Sequence, residues 1–134
     1  MIDNGIILKN PFVPEGFYFA RVTAIETEPS EDFVFPKLLI QLKLHPSHEL
    51  PEDNVFSAIL HPTPKSLPHY MNFAHTFLWG ESTEDLTKAI GRLGSVAIQS
   101  VSFCGVAYST VRFVREPLSI RVQCLKLELA DLKS

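Results

Sequence analysis

The chain has 134 residues, a formal net charge of −3 and two cysteines. A chain of this length forms one domain that buries about two thirds of its unfolded surface, so it folds without a disulfide framework or a structural metal. The acidic balance argues against a protein that holds nucleic acid by bulk positive charge.

The predicted location is the cytoplasm, without a membrane partner. Cys104 and Cys124 form no CxxC motif or Cys/His cluster, which is typical of a reduced compartment. The N-terminal stretch MIDNGIILKN has a short apolar core with no basic region before it, unlike a secretory signal. No stretch approaches the roughly 20 apolar residues that a membrane-spanning helix requires.

Three strands are predicted in the first half of the chain. Residues 1–15 contain prolines and form an arm or a short edge strand, because proline cannot donate to an inner ladder. GFYFARVTAIETE (16–28) is rich in aromatic and β-branched residues, which indicates a long first strand. PKLLIQLKLH (36–45) alternates cleanly between apolar and polar positions, and NVFSAILHP (54–62) is a third strand that ends at proline.

Helical segments and further strands follow. SLPHYMNFAHTFLWG (66–80) favours one or two helical turns, and STEDLTKAIGRLG (82–94) predicts a better helix, with Ser82 as its N-cap and Gly94 as its end. SVAIQSVSF and VAYSTVRFV flank Cys104-Gly105 and predict a hairpin. LSIRVQCLKLEL, which begins at residue 118, is a sixth strand or a strand that ends in helix.

This order predicts a mainly β fold with a short helical segment. Five or six strands with a helix between strands 3 and 4 is the order of an OB-fold-like Greek-key barrel, a fold that binds oligonucleotides or oligosaccharides. No linker, repeat or low-complexity tract interrupts the pattern, so residues 1–134 are predicted to form a single OB-like domain with an arm at 1–15.

Three stretches carry a recurring motif pattern. PEGFYFARVTAIE (14–26) holds a G-x-Y-like strand, PKLLIQLKL (36–44) is the alternating strand after it, and residues 90–114 combine G-R-x-G-x-V with a hairpin that ends Y-x-x-V. This pattern resembles the phage- and prophage-encoded OB-fold proteins that bind single-stranded DNA. The resemblance implies a non-enzymatic protein of replication or recombination with single-stranded DNA as its partner.

Aromatic and basic residues share the predicted strands. Single-strand binders stack bases on aromatic rings and follow the phosphates with a cationic groove. Alternation along the strands allows both residue types to meet on one outer face. The predicted nucleic-acid-binding residues are Phe17, Phe19, Arg21, Lys37, Lys43, Tyr108 and Arg112. An alternative stays open, in which the phenylalanines fill the barrel and Tyr108 lies at its rim.

The sequence contains no motif of an enzyme or a metal site. The five histidines form no HxH or HExxH pattern, and His45 and His48 lie on either side of Pro46 in a predicted loop. No serine lies in a GxSxG elbow, and GRLGS lacks the lysine of a P-loop. We therefore expect a non-enzymatic protein without cofactor or metal.

Two other classes of function remain open. The aromatic segment 61–79 either plugs the open end of the barrel or forms an exposed patch. An exposed patch, or pairing of edge strands, would make the protein an interaction or assembly module, such as a homo-oligomer. The barrel mouth would alternatively bind a small molecule or an oligosaccharide.

Overall fold

The fold is taken from a computed structural model, which describes residues 10–46, 54–79, 85–115 and 117–133. Five strands of these residues form one antiparallel sheet in the order β3-β2-β1-β4-β5. The predicted mainly β fold, with a helix between the third and fourth strands, is confirmed. The elements are β1 (Gly16–Glu28), β2 (Lys37–Leu44), β3 (Val55–Leu60), α1 (Leu67–Leu78), β4 (Leu93–Phe103), β5 (Val106–Arg112) and α2 (Leu118–Lys133).

The first strand is the centre of the sheet and pairs with two partners. Its N-terminal part lies along β4, with Phe17 opposite Ala97, and its C-terminal part lies along β2, with Ile25 opposite Ile40. The register with β2 shifts between Val22 and Ala24. Such a bulge bends a strand and increases its twist, and here it lets the sheet curl into a half-barrel.

Asn10 joins the two outermost strands of the curled sheet. Its Nδ2 atom donates to the carbonyl oxygens of Ser57 on β3 and Ser109 on β5, both at 3.0 Å. Its Oδ1 atom accepts a hydrogen bond from the Ser57 amide at 2.8 Å. Part of the predicted arm therefore satisfies strand-edge groups that would otherwise be unpaired. Residues 1–9 of that arm lie outside the described residues.

The interior is filled by the sheet and by α1. Leu38, Ile40, Leu42 and Leu44 all point inward from β2, as the predicted alternation requires. The rings of α1 pack against this face, so the aromatic segment 61–79 contributes mainly to the core. Its fully buried aromatic residues are Tyr70, Phe73 and Phe77, whereas Trp79 is 39% exposed.

Tyr70 holds a polar group inside the core. Its hydroxyl lies 2.6 Å from the carbonyl oxygen of Pro36 and 2.9 Å from that of Leu60, so its single hydrogen is shared between the loop before β2 and the end of β3. Burial raises the pKa of Tyr70 to about 12, because the charged form would lose its hydration.

The helix predicted over residues 82–94 is wrong. A short 3-10 turn, Leu86–Ala89, begins after Asp85, whose carboxylate accepts a hydrogen bond from the Thr87 amide at 3.0 Å. Hydrogen bonds from Thr87 lower the pKa of Asp85. Strand β4 already begins at Leu93, which leaves no room for a longer helix. The predicted N-cap, Ser82, lies outside the described residues.

Gly94 is a strand residue and does not end a helix. A Cβ atom at this position would lie 2.6 Å from Thr76 Cγ2 and 2.9 Å from Phe77 Cε1 on α1. Glycine therefore allows β4 and α1 to approach each other closely.

The sixth predicted strand is also wrong, because this segment is helix α2 from Leu118 to Lys133. Its apolar residues alternate at first but also recur every three or four positions, and Leu, Lys, Glu and Ala are good helix formers. The hairpin at Cys104-Gly105 is confirmed, and both turn residues have positive φ, at 52° and 77°. No helix in the described part of the chain is long and apolar enough to cross a membrane.

Candidate ligand-binding face

The sheet has one inward and one outward face, and β1 shows which residues belong to each. Ala20 and Val22 are fully buried, whereas Phe17 on the opposite parity is 72% exposed. The outward row of β1 consists of Phe17, Phe19, Arg21 and Thr23. The two phenylalanines of this row therefore do not fill the interior.

The strand register aligns the other candidate residues with this row. Arg21 lies directly opposite Lys43 on β2. Phe17 lies opposite Ala97, which lies opposite Arg112 on β5. Phe17 and Arg112 are thus two strands apart on the same face, a separation of about 10 Å. Tyr108 lies on that face too, four residues before Arg112, or about 13 Å along the strand.

Lys37 is separate from these residues. It points outward from β2, but it lies opposite Glu28 at the far end of the β1–β2 pair. Six residues separate it from Lys43, which corresponds to about 20 Å along the strand. All seven predicted residues therefore lie on the outward face, where six fall into two neighbouring groups and Lys37 stands apart.

Helix α2 packs over part of the same face, beside the start of β4. The pairing of β5 with β4 ends where Arg112 meets Ala97, so β5 does not reach Leu93. The Leu93 carbonyl instead accepts a hydrogen bond from Cys124 Sγ at 3.1 Å, and its amide donates to Glu128 Oε1 at 3.4 Å. The C-terminal helix thus completes the edge of the sheet.

An apolar groove runs between β1 and the first turns of α2. Its volume is about 430 Å³. The exposed ring of Phe17 and the half-buried ring of Phe19 lie on one side, and Ile120 and Gln123 on the other. The exposed Arg115 lies at the groove as well, which adds a cation beside the two rings.

A polar pocket of about 550 Å³ lies further along the outward row of β1. Arg21, Lys43 and His45 line it together with Asp131, which reaches it from the last turns of α2. The Nη2 atom of Arg21 lies 2.9 Å from Asp131 Oδ2, and His45 Nε2 lies 3.2 Å from both carboxylate oxygens. Arg21 also donates through Nη1 to the Gly91 carbonyl at 2.6 Å.

Trp79 links the end of α1 to the start of α2. Two guanidinium groups contact its ring, with the Arg92 Cζ atom 5.1 Å and the Arg121 Cζ atom 4.7 Å from the ring centroid. Arg121 also donates to the carbonyl oxygen of Thr76. These cation–π contacts fix the first turn of α2 against the body of the protein.

Sequence reasoning did not identify His45, Arg115 or Asp131. The alternation of β2, extended by two residues beyond Lys43, was a usable signal for His45. Asp131 had none, because 110 positions separate it from Arg21. In the described ranges, no three His, Cys, Asp or Glu side chains come together as a metal site would require. His48 lies outside those ranges.

A third cavity lies away from this face. It is formed by the loop after β1 and the 3-10 turn at Leu86–Ala89, and its volume is about 620 Å³. Asp85 is the one charged residue among those that line it.

Comparison of the chain with protein-family models, with curated proteins and with solved structures gives no match. The interpretation of the outward face therefore depends on its own chemistry.

Proposed function

We propose that this protein is a non-enzymatic single-stranded-DNA-binding protein built on an OB-like Greek-key barrel, of the phage or prophage replication or recombination type. The observation that supports it best is the outward row of β1, which presents two phenylalanines and an arginine in succession. The groups that single-strand binding requires, rings for bases and cations for phosphates, therefore share one strand face.

The strand order supports the OB-like assignment. The sheet order β3-β2-β1-β4-β5, with α1 between β3 and β4, matches a five-stranded barrel in which β1 contributes to both halves. The bulge after Val22 and the Asn10 bridge between β3 and β5 are consistent with a barrel that closes along these two strands.

The exposed ring of Phe17 is the first expected stacking residue. A base stacked on an aromatic side chain contributes about 1–3 kcal/mol to binding. Phe19 offers a second surface in the groove, where Arg115 adds a cation. Arg112 lies two strands from Phe17 on the same face, and Arg21 follows Phe19 in the outward row of β1. Tyr108 extends the aromatic surface along β5. A chain of nucleotides lying over these residues would continue toward Arg21 and Lys43.

Fluorescence anisotropy with labelled oligo-dT tests this proposal at two salt concentrations. We expect binding that weakens as salt rises, because phosphate contacts release counterions. Phe17→Ala should raise the dissociation constant about 5- to 150-fold, which corresponds to the loss of a stacking energy of about 1–3 kcal/mol. Phe12→Ala is the matched control, because Phe12 is 52% exposed and lines neither cavity of this face.

A second pair of variants tests whether the basic residues of the outward face contact the phosphates. Lys43→Ala should weaken binding and flatten its salt dependence, whereas Lys65→Ala should change neither, because Lys65 lies on the 3-10 turn before α1. Absence of oligo-dT binding at low salt would overturn the proposed function.

A specific feature of α2 favours a second function, the assembly of two copies of the chain. Its outward residues recur at alternating spacings of four and three, as in the seam of a coiled coil. All five are exposed, by 40% to 82%, and they are Leu118, Val122, Leu125, Leu129 and Leu132. This stripe replaces segment 61–79 as the basis for assembly, because most of that segment's aromatic rings are buried.

Pairing of this stripe with the same stripe of a second copy would cover all five apolar side chains. Light scattering over a concentration series tests this function. Leu129→Lys should abolish a dimer, and Val34→Lys, at a residue 80% exposed in a loop, should leave it intact. A monomer at every concentration would exclude assembly through α2.

A further inference from the structure

The ion pair between α2 and β1 lies where Arg21, Lys43 and His45 come together on the outward face. Asp131 contacts Arg21 and His45, and Lys43 lies opposite Arg21 on the neighbouring strand. A carboxylate accepts hydrogen bonds only, so His45 Nε2 carries the hydrogen in this contact. Arg21 comes from β1, Lys43 from β2 and His45 from the residue just after β2, and all three line the same pocket.

The same geometry suits a phosphate group. A guanidinium binds carboxylate and phosphate oxygens through similar charge-assisted hydrogen bonds, and a lysine adds a point charge. The pocket also contains polar groups that the Asp131 contacts do not use, namely the side chains of Thr23 and Asn54. Thr23 Oγ1 donates to the Gln41 carbonyl at 3.2 Å, which fixes its position beside the cations.

The contacts of the Asp131 carboxylate are weak enough for a phosphate group to replace it. The side chains of Arg21 and Asp131 are 34% and 41% exposed, and exposed ion pairs contribute little to stability. Arg21 stays oriented without Asp131, because its Nη1 atom is bonded to the Gly91 carbonyl. The contacts that anchor α2 to Trp79 and Leu93 all lie before its last turn, at Arg121, Cys124 and Glu128.

We propose that Arg21, Lys43 and His45 form a phosphate-binding subsite, and that Asp131 fills this subsite until a phosphate of the ligand displaces it. The subsite deepens the proposed function and rests on it for the source of the phosphate, which is the backbone of single-stranded DNA. The last turn of α2 then sets the affinity of the outward face.

The test compares Asp131→Asn with the wild type in oligo-dT binding at low salt. Removing the competitor should tighten binding by about tenfold, which lies within the range of about 5- to 150-fold that is typical of coupling between two sites. Glu26→Gln is the matched control, because it removes the same charge from an exposed residue of β1. Equal gains in the two variants would indicate bulk charge and would overturn the subsite.

A double-mutant cycle locates the effect. Arg21→Ala should abolish the gain from Asp131→Asn, since the two side chains act on one phosphate. A gain that persists in Arg21→Ala, Asp131→Asn protein would overturn the subsite, as would an unchanged affinity in Asp131→Asn alone. In the second case the wild type would still bind oligo-dT, and the proposed function would stand.

A titration with inorganic phosphate, followed by the NMR signals of the His45 imidazole, separates the two sources of phosphate. Tighter phosphate binding in Asp131→Asn, with no oligo-dT binding by any variant, would support the subsite and remove the nucleic-acid function. Failure of every variant to bind either probe would overturn both.

Discussion

The two helices of this protein play opposite physical roles. Six residues of α1 are buried, including three aromatic residues in the centre of the core, whereas Cys124 is the one fully buried residue among those described in α2. α1 is held by apolar packing, and α2 by a cation–π contact, two bonds to Leu93 and an ion pair. We therefore expect the free energy of unfolding to depend more on α1 and the sheet than on α2.

The largest expected effect on the free energy of unfolding comes from a substitution in the buried face of α1. Phe73→Ala should lower the free energy of unfolding by about 3–5 kcal/mol, because it removes a fully buried ring that packs against Phe77 and Phe113. Leu125→Ala on α2 should change it by less than about 0.5 kcal/mol if the protein is monomeric. Urea denaturation followed by circular dichroism measures both, and equal losses would contradict the distinction.

The next largest effect on the free energy of unfolding is expected at the close contact between α1 and β4. Gly94→Ala should lower the free energy of unfolding by about 1–3 kcal/mol, because the new methyl group overlaps Thr76 and Phe77. Thr76→Ser removes the methyl group closest to it, so the double variant should recover part of the loss. Denaturation of the two single variants and the double variant measures this coupling, and strict additivity would disprove it.

A smaller effect concerns the buried hydroxyl of α1. Because folding raises the pKa of Tyr70 from 10.0 to about 12, the stabilisation by its neutral form is complete below pH 10 and is lost as pH rises toward 12. Tyr70→Phe should lower the free energy of unfolding by about 1 kcal/mol at neutral pH. It should also remove this residue's alkaline dependence, and an identical pH profile from 9 to 12 in both proteins would contradict the assignment.

The smallest effect on stability is expected at the contact between Arg121 of α2 and Trp79. Local opening of α2, measured by the rate of cysteine alkylation, is more sensitive to this contact than global unfolding is. Arg121→Ala removes the contact with Trp79 and should speed alkylation of the buried Cys124. Cys104 is exposed and serves as the internal control in the same sample. An unchanged Cys124 rate, with Cys104 also unchanged, would mean that Trp79 does not hold α2.

The sequence predicted the sheet better than the helices, for a physical reason. Alternation with period two is clear in KLLIQLKL, because Leu38, Ile40, Leu42 and Leu44 face the core. Both lysines face outward, and Leu39 is the one apolar residue on their side. The residue pattern after Pro117 fits both a strand and a helix. In the structure the segment is helical, and its Cys124 and Glu128 side chains form hydrogen bonds with the backbone groups of Leu93. The helix predicted over residues 82–94 was wrong because Leu86, Ile90 and Leu93 have a helical spacing but belong to a 3-10 turn, the residue after it and the start of β4.

The candidate site was predictable to the extent that it lies on strands. Parity alone indicated that Phe17, Phe19 and Arg21 share a face, and register then determined which residues of β2 and β5 lie beside them. The contribution of α2 was not predictable, because it depends on contacts between residues that are 31 to 110 positions apart.

The Asn10 bridge has a consequence for the order of folding. It joins residues 47 and 99 positions away, so the entropy of closing these long loops is lost before the bridge forms. The hairpin of β4 and β5 and the neighbouring pairs of β1, β2 and β3 are far more local and form at lower entropic loss. Before Asn10 binds, unpaired backbone groups at the edges of β3 and β5 are available to pair with strands of other molecules. We therefore expect the Asn10 bridge to protect these two strand edges against aggregation.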